Sequence, residues 1–272
     1  MQFAFLFFNN ENLSKKDTIS LSNRRYCEEM KIGAVGDLHG KKYIELLDNK
    51  LEYAGLDLLL LAGDITENNS VEEFDLVLDK LRGMTDAKLV AVFGNEEYEE
   101  THAEYEKRGE ITFLNDDATT LEIRGVKIKI VGTTGSLDRP TWWQRTNLPD
   151  IWKKYQQRIE KVSQLLTRDD SDFLILLMHY APTYKTLSGE KPERYPEMAS
   201  EKYEPILMEK RPDLVFHAHA HKGTKSVMLR KEQRRLDEIE KELNPIPIYN
   251  VSLPLNKSIT IVELQEGKHA QG

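Results

Sequence analysis

Along the chain, short runs of apolar residues alternate with stretches where apolar residues recur every three or four positions. This is the pattern of βαβ units in a sheet covered by helices. Ile32 to Val35, Leu58 to Ala62, Leu89 to Phe93, Phe173 to Met178 and Leu214 to Phe216 are the apolar runs, each closed by polar residues and often by glycine. Tyr43 to Tyr53 and Val71 to Leu81 carry apolar residues at helical spacing and are predicted to be crossover helices. Ile151 to Leu166 is a further helix, with Ile151, Tyr155, Ile159, Val162 and Leu166 facing the core. Thr119 to Val131 alternates instead, around Gly125, and predicts a hairpin opening a second sheet. The last strands, near Ile248 to Val251 and Ile259 to Val262, are expected to join that second sheet. Leu229, Leu236, Ile239 and Leu243 form a narrow apolar stripe on a charged helix.

Residues 1–29, in which Asn9, Asn10, Ser14, Lys15, Lys16 and Asp17 cluster, have neither periodicity. They read as an N-terminal extension, flexible or lying ahead of the true start, before a domain at residues 30–272. Met30 stands directly before the first strong strand, so a protein begun there is expected to keep its activity.

Composition narrows this picture. A chain of 272 residues, 39% of them hydrophobic, suits one α/β domain. A net charge of -8 and the lack of a long Lys/Arg block disfavour a broad grip on nucleic acid, leaving only a local basic groove as a route to it. Cys27 is the only cysteine, which removes internal disulfides and thiolate metal sites and suits a reducing compartment. The apolar stretch Phe3 to Phe8 is too short to span a bilayer. The expectation is a soluble, cytoplasmic protein with no membrane partner; its oligomeric state is not legible.

Candidate chemistry gathers at the strand ends, where open α/β folds bind ligands. The first ends in Gly36-Asp37-Leu38-His39-Gly40. A carboxylate and an imidazole two positions apart share one side of extended backbone and can reach one metal. Gly63-Asp64-Ile65-Thr66-Glu67 follows about one βα repeat later, which sets Asp64 beside Asp37. The third strand ends in Gly94-Asn95-Glu96-Glu97, the fourth delivers His179, and the fifth delivers His217-Ala218-His219-Ala220-His221.

This order of motifs resembles the calcineurin-like metallophosphoesterase family, whose signature is D-x-H, G-D-x-x-E, G-N-H-[DE], H and G-H-x-H at successive strand ends. The resemblance runs from Met30 to about Val262. It implies a two-sheet β sandwich flanked by helices. It also implies that Asp37, His39 and His221 bind one metal, that Asn95, His179 and His219 bind the other, and that Asp64 bridges both. Two divalent ions about 3.5–4 Å apart share a hydroxide that attacks phosphorus and hold the phosphate oxygens. The sulfur-free ligand set suits Mn, Fe, Zn, Ni or Co better than Ca or Mg, with Mn favoured.

Glu96 departs from the family, which usually has a histidine there to stabilise the transition state or protonate the leaving group. An unperturbed glutamate titrates at about 4.3 and is ionised at neutral pH unless burial raises it. His217, His102 or a protonated Glu96 are the candidate proton donors, and Asp64 and Asn95 complete the expected catalytic set. Ala218 replaces a glycine before His219. Lys222 replaces a frequent glycine after His221 and is a candidate phosphate contact. The resemblance therefore implies a metal-dependent phosphohydrolase and favours a phosphodiesterase. The alternatives are a nuclease acting on DNA or RNA, a phosphomonoesterase, and a non-catalytic metal-binding scaffold.

Bland readings stand beside these. Glu67 and Glu97 are expected to be charges at helix N-termini, and His102 and His269 solvated surface residues. Trp142 and Trp143, beside Arg139 and Arg145, lie in a loop suited to gripping a base or sugar, or to packing. The loop from Thr183 to Ala199, with Lys185, Lys191, Arg194 and Tyr195, is placed to roof the site.

Overall fold

The computed structural model describes residues 5–6, 16–21, 30–47, 50–108, 111–230 and 245–266. Its strands are β1 (Phe5–Leu6), β2 (Lys16–Leu21), β3 (Met30–Val35), β4 (Leu58–Ala62), β5 (Lys88–Val92), β6 (Ile111–Leu114) and β7 (Asp117–Ile123). After these come β8 (Val126–Thr133), β9 (Phe173–Met178), β10 (Leu214–His217), β11 (Ser226–Leu229), β12 (Ile246–Asn250) and β13 (Thr260–Glu266). They form two mixed sheets, ordered β1-β2-β13-β3-β4-β5-β6 and β11-β12-β10-β9-β8-β7. The α-helices are α1 (Val71–Arg82), α2 (His102–Glu106), α3 (Trp142–Asn147), α4 (Ile151–Leu165), α5 (Tyr203–Lys210) and α6 (Leu253–Asn256).

The architecture is the expected two-sheet sandwich flanked by helices, and β4 explains why. Its side chains alternate in direction, so Leu58 and Leu60 enter the core between the sheets while Leu59 and Leu61 enter the core under α1. A strand covered on both faces must be apolar throughout, which is the run read from the sequence. The second sheet repeats this: Phe173, Ile175 and Leu177 face the first sheet, whereas Leu174 and Leu176 pack with Val162 of α4 and Leu207 of α5. Helix α1 buries Phe74, Val77, Leu78 and Leu81, and the Ser70 hydroxyl caps it by accepting from the Glu73 N–H. The hairpin of β7 and β8 turns at Arg124 and Gly125, both with positive φ.

Some elements differ from the sequence reading. Tyr43 to Tyr53 contains short 3-10 turns, Ile44–Leu46 and Leu51–Gly55, in place of a crossover helix. Ile44 and Leu47 are three apart, a spacing that serves a 3-10 turn as well as an α-helix, and both are buried. The last strand, β13, pairs antiparallel with β3 in the first sheet and so does not join the second, while β12 does join it beside β10. Leu229 ends β11 and is buried rather than lying on a helix; Leu236, Ile239, Leu243 and His269 lie outside the described residues. Within the N-terminal extension, β2 runs parallel to β13. Trp142 and Trp143 sit on α3, begun by a Thr141–Gln144 capping box, and are 70% and 57% exposed, so neither packs into the core.

Candidate metal centre

The C-terminal ends of β3, β4, β5, β9 and β10 converge at one place between the sheets. Backbone hydrogen bonds extend the pairing of β3 and β4 into their loops: Asp37 N–H donates to Gly63 O, His39 N–H to Asp64 O, and Gly40 N–H to Ile65 O. Asp37 and His39 have φ of 53° and 47°, so left-handed turns aim both at the site. The extended backbone expected for this pair is not what brings them together. Asp64 and His219 are left-handed too, with φ of 47° and 67°. Four non-glycine residues in this sparsely populated region store strain that the surrounding hydrogen bonds must hold.

The side chains fall into two groups. Ligand atoms of Asp37, His39 and His221 lie within 4.8 Å of one another, and those of Asp64, His179 and His219 do likewise. Asn95 belongs with the second group, its Oδ1 3.0 Å from His179 Nε2. Asp64 Oδ2 is 3.4 Å from His179 Nε2 and 3.8 Å from His39 Nε2, so one carboxylate oxygen stands between the groups.

These residues fit divalent ions. Ligand bonds of about 2.0–2.2 Å place neighbouring donor atoms roughly 3–3.5 Å apart, which matches the contacts of His179. Asp37 Oδ1 and both ring nitrogens of His39 are buried without a hydrogen-bond partner among the described residues. Buried polar atoms left bare in this way mark a place for an ion. His179 Nδ1 lies 3.0 Å from Ala62 O, so it donates there and presents the Nε2 lone pair to the site.

Electrostatics divide the groups. Burial pushes Asp37 up, but the hydrogen bond with His221 and the nearby His179 and His221 rings hold it below the usual carboxylate range. Burial lowers His221, yet its hydrogen bond with Asp37 and the Asp37 charge carry it above the ordinary value. In the second group, burial and the Glu97 and Asp37 charges push Asp64 well up. Burial lowers His179 to about 4 and His219 to about 3.

Outside the ligands, Tyr43 stands edge-to-face with His39 and His221, and Tyr180 stands against His179 and His219. Neither tyrosine was singled out as a site residue in the sequence, because a tyrosine beside a motif has no spacing rule of its own. Glu97 is a correction. It is not a solvated helix-end charge: it is buried and accepts from the backbone N–H of Asp64, Thr66 and Gly94. It ties the β4 loop to the β5 loop. No α-helix begins at Glu97, whose loop leads into a 3-10 turn at Glu99–Thr101. Gly94 makes the same junction tight, since a Cβ there would lie 2.1 Å from Asp64 Oδ1.

His102 is half-buried, stacked on Phe93 at 3.5 Å between ring centroids and 3.2 Å from Glu97 O, so it is not a solvated residue. Burial lowers its pKa. His217 is fully buried, its Nδ1 2.8 Å from Ala218 O, and burial lowers it to about 4. Neither ring lines the cleft, so the structure does not place either where a leaving group would stand. Glu67 pairs with Lys42.

Above the ligands opens a cleft of about 520 Å³. His39, Asp64, Asn95, Glu96, His219 and His221 line its floor. Lys191, Arg194 and Lys222 line it too, together with Glu190 and Glu197, so the expected roof loop and Lys222 border the site. Lys185 points elsewhere and pairs with Glu204. Gly189 lets the roof approach the His221 loop, because a Cβ there would lie 2.0 Å from Lys222 O. Among the described residues no helix is long and apolar enough to cross a membrane.

The sequence profile of the calcineurin-like phosphoesterases matches residues 30–223. No curated protein matches the chain. Among solved structures, the phosphopantetheinyl hydrolase of Mycobacterium tuberculosis is similar in fold, with a TM-score of 0.52 at 15% identity over 82% of this chain and 89% of that one. A protein from Thermus thermophilus has a TM-score of 0.47 at 19% identity, covering 70% of this chain and 82% of its own. The calcineurin-like phosphoesterase YfkN from Bacillus subtilis has a TM-score of 0.42 at 15% identity, covering 71% and 72%. The chain belongs to the calcineurin-like phosphoesterase family, metal-dependent hydrolases of phosphoester bonds.

Proposed function

We propose that this protein is a binuclear metallophosphoesterase that cleaves phosphodiesters. The observation that carries the reading is Asp64 Oδ2, which stands within 4 Å of imidazoles from both ligand groups. Asp37, His39 and His221 would hold one divalent ion, Asn95, His179 and His219 the other, and Asp64 both. When bound, such a pair supplies positive charge to the phosphate oxygens and lowers the pKa of water. The mixed carboxylate, amide and imidazole donors suit Mn, Fe, Zn, Ni or Co, of which we propose Mn. Residues 30–272 carry the function in this reading, and the single cysteine suits a reducing cytoplasm.

The protein's own groups do the rest. Lys191, Arg194 and Lys222 are the cations of the cleft lining that would draw an anion in, set against Glu190 and Glu197 in the same lining, the latter 3.8 Å from Arg194. Glu96 lines the same floor. A carboxylate there repels a dianionic monoester roughly twice as strongly as a monoanionic diester at equal distance, which supports the diester. The test is hydrolysis by Mn-reconstituted protein of matched bis-aryl phosphodiesters, aryl monophosphates, cyclic nucleotides and short nucleic acids. The diesters are expected to give the highest kcat/KM, and a preference for monophosphates would overturn the assignment.

A further inference from the structure

We propose that Glu96 is a positioning residue that clamps Asn95 and Asp64 for metal binding, and that it does not protonate the leaving group. The inference rests on the binuclear reading above. A side-chain amide presents two ends, and only its oxygen can bind a cation. What sets the end presented by Asn95 is its neighbour: Asn95 Nδ2 donates to Glu96 Oε1 at 3.3 Å, leaving Oδ1 3.0 Å from His179 Nε2. The other carboxylate oxygen, Oε2, accepts from the Asn68 N–H at 2.9 Å. Asn68 lies in the loop after Asp64 with a left-handed φ of 52°, so Glu96 also pins that loop.

The backbone of Glu96 completes the clamp. Its N–H donates to Asp64 Oδ1 at 2.8 Å, which leaves Oδ2 to face the two ligand groups. Glu96 therefore touches the amide ligand, the shared carboxylate and the loop behind them. Both of its carboxylate oxygens are already engaged, one by the Asn95 amide and one by the Asn68 N–H, which commits the side chain to this fork. A histidine could not offer two oxygens in this fork. The departure from the family thus exchanges one role for another.

The experiment pairs calorimetric titration of Mn²⁺ into metal-free protein with hydrolysis of bis-aryl phosphodiesters of graded leaving-group pKa, for wild type, Glu96→Ala and Glu96→Gln. Glu96→Ala is expected to weaken the ion held by Asn95 by about 10–100-fold, the usual effect of losing a partner behind a ligand. Glu96→Gln keeps one oxygen and should lose less. The dependence of rate on leaving-group pKa should be the same in all three proteins. Unchanged Mn²⁺ affinity in Glu96→Ala overturns the inference, as does an equally steepened leaving-group dependence in both variants, which would mark a proton donor. Wild type that binds fewer than two ions instead overturns the binuclear reading, and the inference with it.

Discussion

Each ligand group has one aspartate and two histidines, the second adding Asn95, but the two balance their charges differently. Asp37 and His221 shift toward each other's charge, the carboxylate down and the imidazole up, so the first group holds an ion pair of its own. The second group moves the opposite way, with Asp64 pushed up and His179 and His219 pushed down. Its carboxylate is buried beside another buried acid, Glu97, and burial pushes its imidazoles toward their neutral form. A buried anion without a compensating cation is costly, and a divalent ion removes that cost. The first group carries an ion pair of its own yet leaves Asp37 Oδ1 and both His39 ring nitrogens without a hydrogen-bond partner among the described residues, whereas in the second the carboxylate and the imidazoles all shift toward their neutral forms.

The largest effect that would break this comparison comes from Glu97. It holds the loops of Asp64 and Asn95, so Glu97→Ala should loosen the second group most and reach the first only through Asp64 and the hydrogen bonds of its loop to Asp37, His39 and Gly40. Three backbone N–H groups lose their acceptor. The expected loss is about 2–4 kcal/mol, given roughly 1–3 kcal/mol for each buried donor left unsatisfied and partial rescue by water. Chemical denaturation measures it, and metal analysis should find one of the two ions depleted. Equal loss of both ions would erase the distinction between the groups.

A smaller effect tests the charges themselves. His179 and His219 titrate at about 4 and about 3 in the folded protein and at about 6.5 when unfolded. Below that value the unfolded chain takes up protons that the fold refuses, so metal-free protein should lose stability as pH falls from about 6.5 toward about 4. Asp64 acts in the opposite sense: its folded value is raised, so its contribution is present at low pH and lost as pH rises through that value. Asp64→Asn removes the opposing group. Metal-free Asp64→Asn should then be more stable than wild type at about pH 7 and lose stability more steeply on acidification, by up to about 1.4 kcal/mol per pH unit for one proton. Melting curves across that range decide it, and parallel slopes in the two proteins would contradict the shifted Asp64.

Much of this was legible in the sequence because the ligands sit at the ends of buried strands. Leu58 to Ala62 is apolar on both faces, so it could be placed without knowing its neighbours, and Asp64 followed from it. What the sequence hid was non-local. Ile259 to Val262 has a strand pattern, but its choice of β3 over the second sheet depends on pairing distant in the chain. Ile44 and Leu47 have a spacing common to two helix types. Glu97 looked like a surface charge because its partners are backbone N–H groups, which carry no residue signature. His217 stood out from its place in the His217–His221 run; its ring is fully buried and does not line the cleft. Cys27 and the apolar stretch at Phe3 bear on regions the structure does not describe beyond β1 and β2.

The central claim is that Asp64 joins two metal ions into one hydrolytic centre. It is tested most directly by counting Mn per chain in reconstituted wild type and Asp64→Ala while measuring bis-aryl phosphodiester hydrolysis on the same samples. Two ions and activity are expected in wild type. Depleted metal is expected in the variant, with a rate loss beyond the ~10–100-fold typical of a group behind a ligand. An Asp64→Ala protein with unchanged metal content, or with undiminished activity, would contradict the claim.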